Sequence, residues 1–213
     1  VTYEGVDEHI SNTKYKKSKI HIKNQKFFLY VGNAYPHKNL DRLLEAFTLL
    51  SHPERSEGSP IDIQLVLVGK EDYFYKRLKE EVKKINLDKF IKFLGEVSDE
   101  ELASLYRNAL ALVMPSLMEG FGLPVLEAMS NKCLVLASDI SALREVCSDA
   151  AIYFNPYDVN EISTTLKSAY SNLSNDINHY RGKINKGFER AKMFSWQKMA
   201  KETLKFYESC VGL

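Results

Sequence analysis

FFLYVGNAYPHKNLDRLLEAF, residues 27–47, contains a complete strand–loop–helix unit. Its first five residues are apolar without polar alternation, as expected of a strand covered on both faces of a parallel sheet. Gly32 ends the run and lets the backbone approach a ligand closely. Asn39 is placed to cap a helix whose Leu40, Leu43, Leu44 and Phe47 fall on one stripe.

The same alternation continues along the chain. Strand-like runs recur at 63–68 (IQLVLV), 90–94 (FIKFL), 110–114 (LALVM), 133–137 (CLVLA) and 151–154 (AIYF). Between them lie amphipathic stretches with start signals. Ser98-Asp99-Glu100-Glu101 has the capping-box pattern, Asp158 with Glu161 opens another helix, and Ser195 precedes a final stripe of Trp196, Met199, Ala200, Leu204 and Tyr207. Strand followed by helix, repeated, predicts an α/β fold with a doubly wound, mainly parallel sheet and right-handed crossovers. Residues 26–194 are expected to form this Rossmann-like unit, with 195–213 as a C-terminal helix and 1–25 as an irregular lead-in. The polar, Pro/Gly/Ser-rich segment 51–60 reads as a surface loop with no assigned chemistry.

Composition narrows the function classes. With 213 residues and 45% hydrophobic content the chain can bury a real core. A net charge of +1 provides no field for nucleic acid. No stretch reaches the length of a membrane helix and no signal peptide is apparent; the first residue is valine, so an excised or processed piece is expected. Cys133, Cys147 and Cys210 have no metal-ligand spacing and read as buried thiols of a reduced, cytosolic protein. Lys14, Lys16, Lys17, Lys19, Lys23 and Lys26 make the N-terminal segment basic. A solvated linker is the plainer reading, because no apolar face accompanies the charge.

Ligands of open α/β sheets sit at the carboxyl ends of the strands, so the chemistry is sought there. Gly32-Asn33-Ala34-Tyr35-Pro36-His37-Lys38 follows the first strand, and Lys38 can reach across a cleft toward a diphosphate. Gly69-Lys70 follows the second, and Gly95-Glu96-Val97 the third. After the fourth comes Glu119-Gly120-Phe121-Gly122-Leu123-Pro124-Val125-Leu126-Glu127. Two carboxylates flank a glycine bend that runs into a helix, with Pro124 suited to its first turn. Free N–H groups at such a helix start favour phosphate, while ionised carboxylates accept from hydroxyls. A ligand with one anionic part and several hydroxyls fits, such as a sugar nucleotide. A glycosidase acid–nucleophile pair needs no phosphate site, and a dinucleotide fingerprint would need glycine at Val125 and would follow the first strand. No Asp-x-Asp metal motif occurs.

Glu-x7-Glu written as EGFGLPVLEAM, behind LALVMPS, resembles the signature of the retaining glycosyltransferases of family 4, whose GT-B fold faces two Rossmann-like domains across a cleft. Residues 27–47, LVLVGK (65–70), FLGEVSDEELASLYRNA (93–109), VLASDISALREV (135–146) and AIYFNP (151–156) resemble further family segments in the family's order, and VTYEGVD resembles the end of its interdomain connection. The match covers only the C-terminal, donor-binding half. It implies that Lys38 lies on the donor's phosphates and Glu119 against its sugar, the two catalytic positions. Glu127 would accept from the ribose hydroxyls. Amides of Phe121, Gly122 and Leu123 would bind sugar or diphosphate beside Gly120. Backbone around Gly69, Lys70 and Val97 would hold the base. Asn33, next to Gly32, stands where the family usually has arginine, which leaves more of the phosphate charge to Lys38.

The resemblance further implies retention at the anomeric carbon, no metal or other cofactor, a UDP-, GDP- or ADP-sugar donor, and a glycan or lipid-linked acceptor held by an N-terminal domain. It suggests a cytoplasmic enzyme of cell-envelope or exopolysaccharide synthesis, with peripheral contact at the membrane's inner face left open. The family's catalytic histidine belongs to the other domain, and none of His9, His21, His37, His52 and His179 has a matching context. On its own the chain is therefore expected to bind donor but transfer sugar slowly or not at all. Three other readings stay open: another GT-B enzyme such as a sugar-nucleotide epimerase or a phosphorylase, a non-catalytic nucleotide-binding module, and an interaction scaffold.

Overall fold

The computed structural model describes residues 3–5, 26–51, 63–176 and 178–211. The basic run through Lys23 and nearly all of the 51–60 segment lie outside them. The described elements follow in the order β1 (Lys26–Val31), α1 (Leu40–Ser51), β2 (Ile63–Val68), α2 (Tyr73–Lys84), β3 (Ile91–Gly95), α3 (Asp99–Asn108) and β4 (Ala111–Met114). Then come α4 (Leu123–Ser130), β5 (Val135–Ser138), α5 (Ser141–Cys147), β6 (Ile152–Phe154), α6 (Val159–Asn175), α7 (Arg181–Ala191) and α8 (Trp196–Val211). The strand–helix alternation read from the sequence is therefore present, with strand limits moved by one or two residues.

All strand pairs are parallel, and the sheet order is β3-β2-β1-β4-β5-β6. Successive side chains of each strand go to opposite faces. Phe27, Leu29, Val66, Leu112 and Val135 pack with α3, α4, α5 and the end of α7, whereas Phe28, Tyr30, Leu65, Val113 and Leu136 pack with α1, α2 and α6. With both faces covered, polar alternation has no place, which explains the continuous apolar runs.

The helix starts show which local signals held. Ser98 and Glu101 form the full capping box of α3, and Asp158 accepts from the amides of Asn160 and Glu161 at α6. Asn39 departs from its expected role. It adopts a left-handed conformation (φ 59°) at the end of the short turn Pro36–Lys38. Its buried side chain turns mainly outward from the helix: Nδ2 donates to the carbonyls of Pro115 (2.9 Å) and Pro156 (2.8 Å), while Oδ1 accepts from the Arg42 side chain in the first turn of α1 (2.9 Å). Asparagine suits this position because it tolerates the left-handed region and carries both donor and acceptor. It ties together the chain segments that leave β1, β4 and β6.

The C-terminal helix α8 forms as expected, but its Leu204, Phe206 and Tyr207 stay exposed. No described helix is long and apolar enough to cross a membrane. Cys133 and Cys147 are buried and Cys210 is exposed, which corrects the reading of all three as buried thiols.

Two outcomes follow. Asn39→Ala should lower stability by about 3 kcal/mol in urea unfolding, combining left-handed strain with two stranded carbonyls, and Asn39→Gly should recover about 1 kcal/mol of that. Burial pushes the Cys133 and Cys147 thiols up to about 12, so both stay protonated and inert in the native chain. At about pH 8 a disulfide reagent should therefore titrate only Cys210 rapidly, and all three thiols after denaturation.

Candidate functional site

The winding of the sheet reverses between β1 and β4, so a crevice opens where their carboxyl ends diverge. The residues beyond those ends are 32–39 and 115–122. Beyond the Asn39 contact, the Leu117 amide donates to the His37 carbonyl (2.8 Å). Two tyrosine hydroxyls pin the first loop from below: Tyr30 donates to the Asn33 carbonyl (2.6 Å) and Tyr75 to the Gly32 carbonyl (2.9 Å). Burial raises the pKa of both phenols, so each stays a donor.

Lys38 crosses from the first loop to the second. Its Nζ lies 2.8 Å and 2.9 Å from the two oxygens of Glu119, whose Oε1 also accepts from the fully buried Ser116 hydroxyl at 2.6 Å. The side chains are only 14% and 7% exposed, so this is a largely desolvated ion pair. Asn33, at the position where the family resemblance implies arginine, acts in the turn: its Oδ1 accepts from the Tyr35 amide (3.3 Å).

The second loop leads into α4 through Gly122, whose φ of 98° and close approach to Leu143 favour glycine. No side chain caps this helix, and Pro124 falls in its first turn. Pro124 has no N–H and the Val125 amide donates to the Gly122 carbonyl (2.9 Å), so an anion at this helix start would meet the amides ahead of Pro124, in the field of the helix dipole.

Around these groups lies a cavity of about 590 Å³. Gly32, Asn33, Lys38, Glu119, Gly120, Phe121, Gly122 and Leu123 all line it, so the structure gathers most of the anticipated site residues in one place. Gly69, Lys70, Val97 and Glu127 are not among its lining residues. Gly69 sits beneath the first loop, where an added Cβ would lie 2.1 Å from the Gly32 carbonyl oxygen. Lys70 is exposed and Val97 packs against the core. Glu127 is held from α3: the buried Tyr106 hydroxyl donates to its Oε2 at 2.8 Å. Burial and the Glu127 charge raise the Tyr106 pKa, which keeps that donor in place.

Several contributors escaped the sequence reading. Tyr3 and Glu4 line the cavity from the N-terminal segment, and Glu145 joins them from α5. Tyr3 stacks on Phe121 (6.0 Å), meets Phe194 edge-on (5.6 Å) and donates to Glu145 (2.7 Å). The available signal was the aromatic character of Tyr3, Phe121 and Phe194, which sequence spacing could not connect. No group of His, Cys, Asp and Glu able to hold a metal occurs among the described residues. Another groove, of about 570 Å³, runs between α1 and α2, but none of the anticipated site residues lines it.

Comparison with known proteins bears on this geometry. The model of the family "Glycosyl transferases group 1" matches residues 11–186. The O-antigen chain mannosyltransferase B of Escherichia coli is 36% identical over 185 residues, covering 86% of this chain and 46% of the relative. Sucrose-phosphate synthase from Thermosynechococcus elongatus superposes with a TM-score of 0.74 at 26% identity, covering 89% of this chain and 46% of that one. HepE from Anabaena, solved in complex with UDP, gives a TM-score of 0.79 at 17% identity over 98% of this chain and 57% of that one. The chain spans about half the length of the curated relatives it matches. With a Rossmann-like sheet, a family match over most of its length and a loop pair built around Lys38 and Glu119, the chain belongs to the group 1 glycosyltransferases, and its fold is one half of their GT-B architecture.

Proposed function

We propose that this chain is the donor-binding half of a retaining glycosyltransferase that moves a hexose from a nucleotide-diphosphate sugar to a glycan or lipid-linked acceptor. The observation that carries the reading is the meeting of Lys38 and Glu119 at the uncapped start of α4. An ammonium and helix amides suit a diphosphate, and a carboxylate beside them suits sugar hydroxyls. The relatives add direction: the Escherichia coli protein is named a mannosyltransferase of O-antigen chains, and HepE was solved with UDP. Mannose is accordingly the first donor sugar to test.

In this reading the bond from the anomeric carbon to the diphosphate breaks with negative charge growing on the phosphate oxygens. Lys38 and the amides at the start of α4 meet that charge in a partly dry cavity, where fixed dipoles act strongly. Glu119 orients the sugar ring. Glu127, steadied by Tyr106, accepts from the ribose. The turns around Gly69, Lys70 and Val97 face the base with backbone groups. No metal is assigned a task in this division of labour.

Calorimetric titration of the chain with UDP, GDP and ADP should give heat with one of them, undiminished by EDTA. Silence with all three would leave a scaffold as the better reading. Lys38→Ala should weaken the binding by about tenfold. Without the acceptor-binding half the chain should hydrolyse or transfer sugar at a negligible rate, and measurable turnover by the chain alone would refute that part.

A further inference from the structure

Among the described residues lining the cavity, Lys38 is the only cation, against the carboxylates of Glu4, Glu119 and Glu145. That cation is already engaged. Both Glu119 oxygens lie within 2.9 Å of its ammonium, and Ser116 fixes the same carboxylate from the protein interior. With Glu119 7% exposed, little water is at hand to replace a lost partner.

Resting on the reading above, we propose that Glu119 competes with the diphosphate for Lys38, so that the site holds a sugar-bearing nucleotide in preference to the bare nucleoside diphosphate. A diphosphate that draws Lys38 away leaves the buried carboxylate with Ser116 alone. Stripping one partner from a buried ion pair is strongly unfavourable, because the remaining charge is uncompensated. A hexose on the diphosphate supplies hydroxyls that donate to the carboxylate in charge-assisted bonds and offset the loss. A bare diphosphate supplies none. Once the sugar has gone to the acceptor, Glu119 recaptures Lys38 and the spent nucleotide loses its cation. Glu119 thereby becomes specificity-determining as well as sugar-orienting, and Ser116 keeps its carboxylate in position for either partner.

The test is calorimetry on this chain with GDP and GDP-mannose, and with UDP and UDP-glucose, for the native protein and Glu119→Gln. The amide keeps an acceptor for Ser116 but no longer binds the ammonium as an ion pair. Glu119→Gln should bind the bare diphosphate about fivefold more tightly and the sugar nucleotide about fivefold more weakly, shifting their ratio toward the bare form. Equal weakening of both ligands by the variant would overturn the proposal. If Glu119→Gln fails to fold by circular dichroism, the native chain decides: saturating free mannose or glucose should tighten the bare diphosphate by about threefold, and no change would overturn the proposal. A native chain that binds none of the four nucleotides sinks the proposed function itself, whereas binding with an unmoved ratio sinks only this inference.

Discussion

The site depends on β1 lying beside β4. Pairing two strands that are far apart in sequence reverses the winding of the sheet at its centre and forces the loops beyond them into one crevice. The candidate site's Lys38, Glu119 and the start of α4 are arranged across that junction. Asn39 secures it with hydrogen bonds to residues 76 and 117 positions away, and Lys38, its neighbour in sequence, spans it to Glu119. The same turn therefore fixes the fold and aims the ammonium.

The two loops differ in how they are stabilised. The first is braced from within by the Tyr30 and Tyr75 hydroxyls, which satisfy carbonyls that would otherwise be stranded above the sheet. The second ends in a left-handed glycine and enters α4 without a side-chain cap. A Ser or Asp at the cap position would place its own oxygen over the start of the helix. Doing without the cap costs some helix stability and leaves the start of α4 free of a capping side chain.

The periodic part of the sequence was legible because burial on both faces of a parallel sheet writes itself as apolar runs, and amphipathic helices write themselves as stripes. Lys38 and Glu119 were legible for a different reason: each follows a strand whose carboxyl end faces the crevice. What could not be read were the long-range partners. Asn39 carries a local helix-start signal, yet distant carbonyls take its side chain. Nothing in the spacing of Ser116 and Tyr106 connects them to the two glutamates, yet each steadies one of them. The turn residues Gly69, Lys70 and Val97 fall outside the cavity because β2 and β3 lie on the far side of β1 from β4. Tyr3 and Glu4 sit in a segment with no periodicity, and only tertiary packing brings them to the site.

Gly5 lies so close to the Ser195–Trp196 backbone that an added Cβ would be 2.1 Å from the Trp196 nitrogen. Residues 5 and 195–196, far apart in sequence, thus meet at a single point, one aromatic layer from the bend at 120–122 through Tyr3, Phe194 and Phe121. Strain applied at either segment has a short path to that bend through these three rings. A substitution at Gly5 is consequently felt at the candidate site, although the two lie far apart along the sequence.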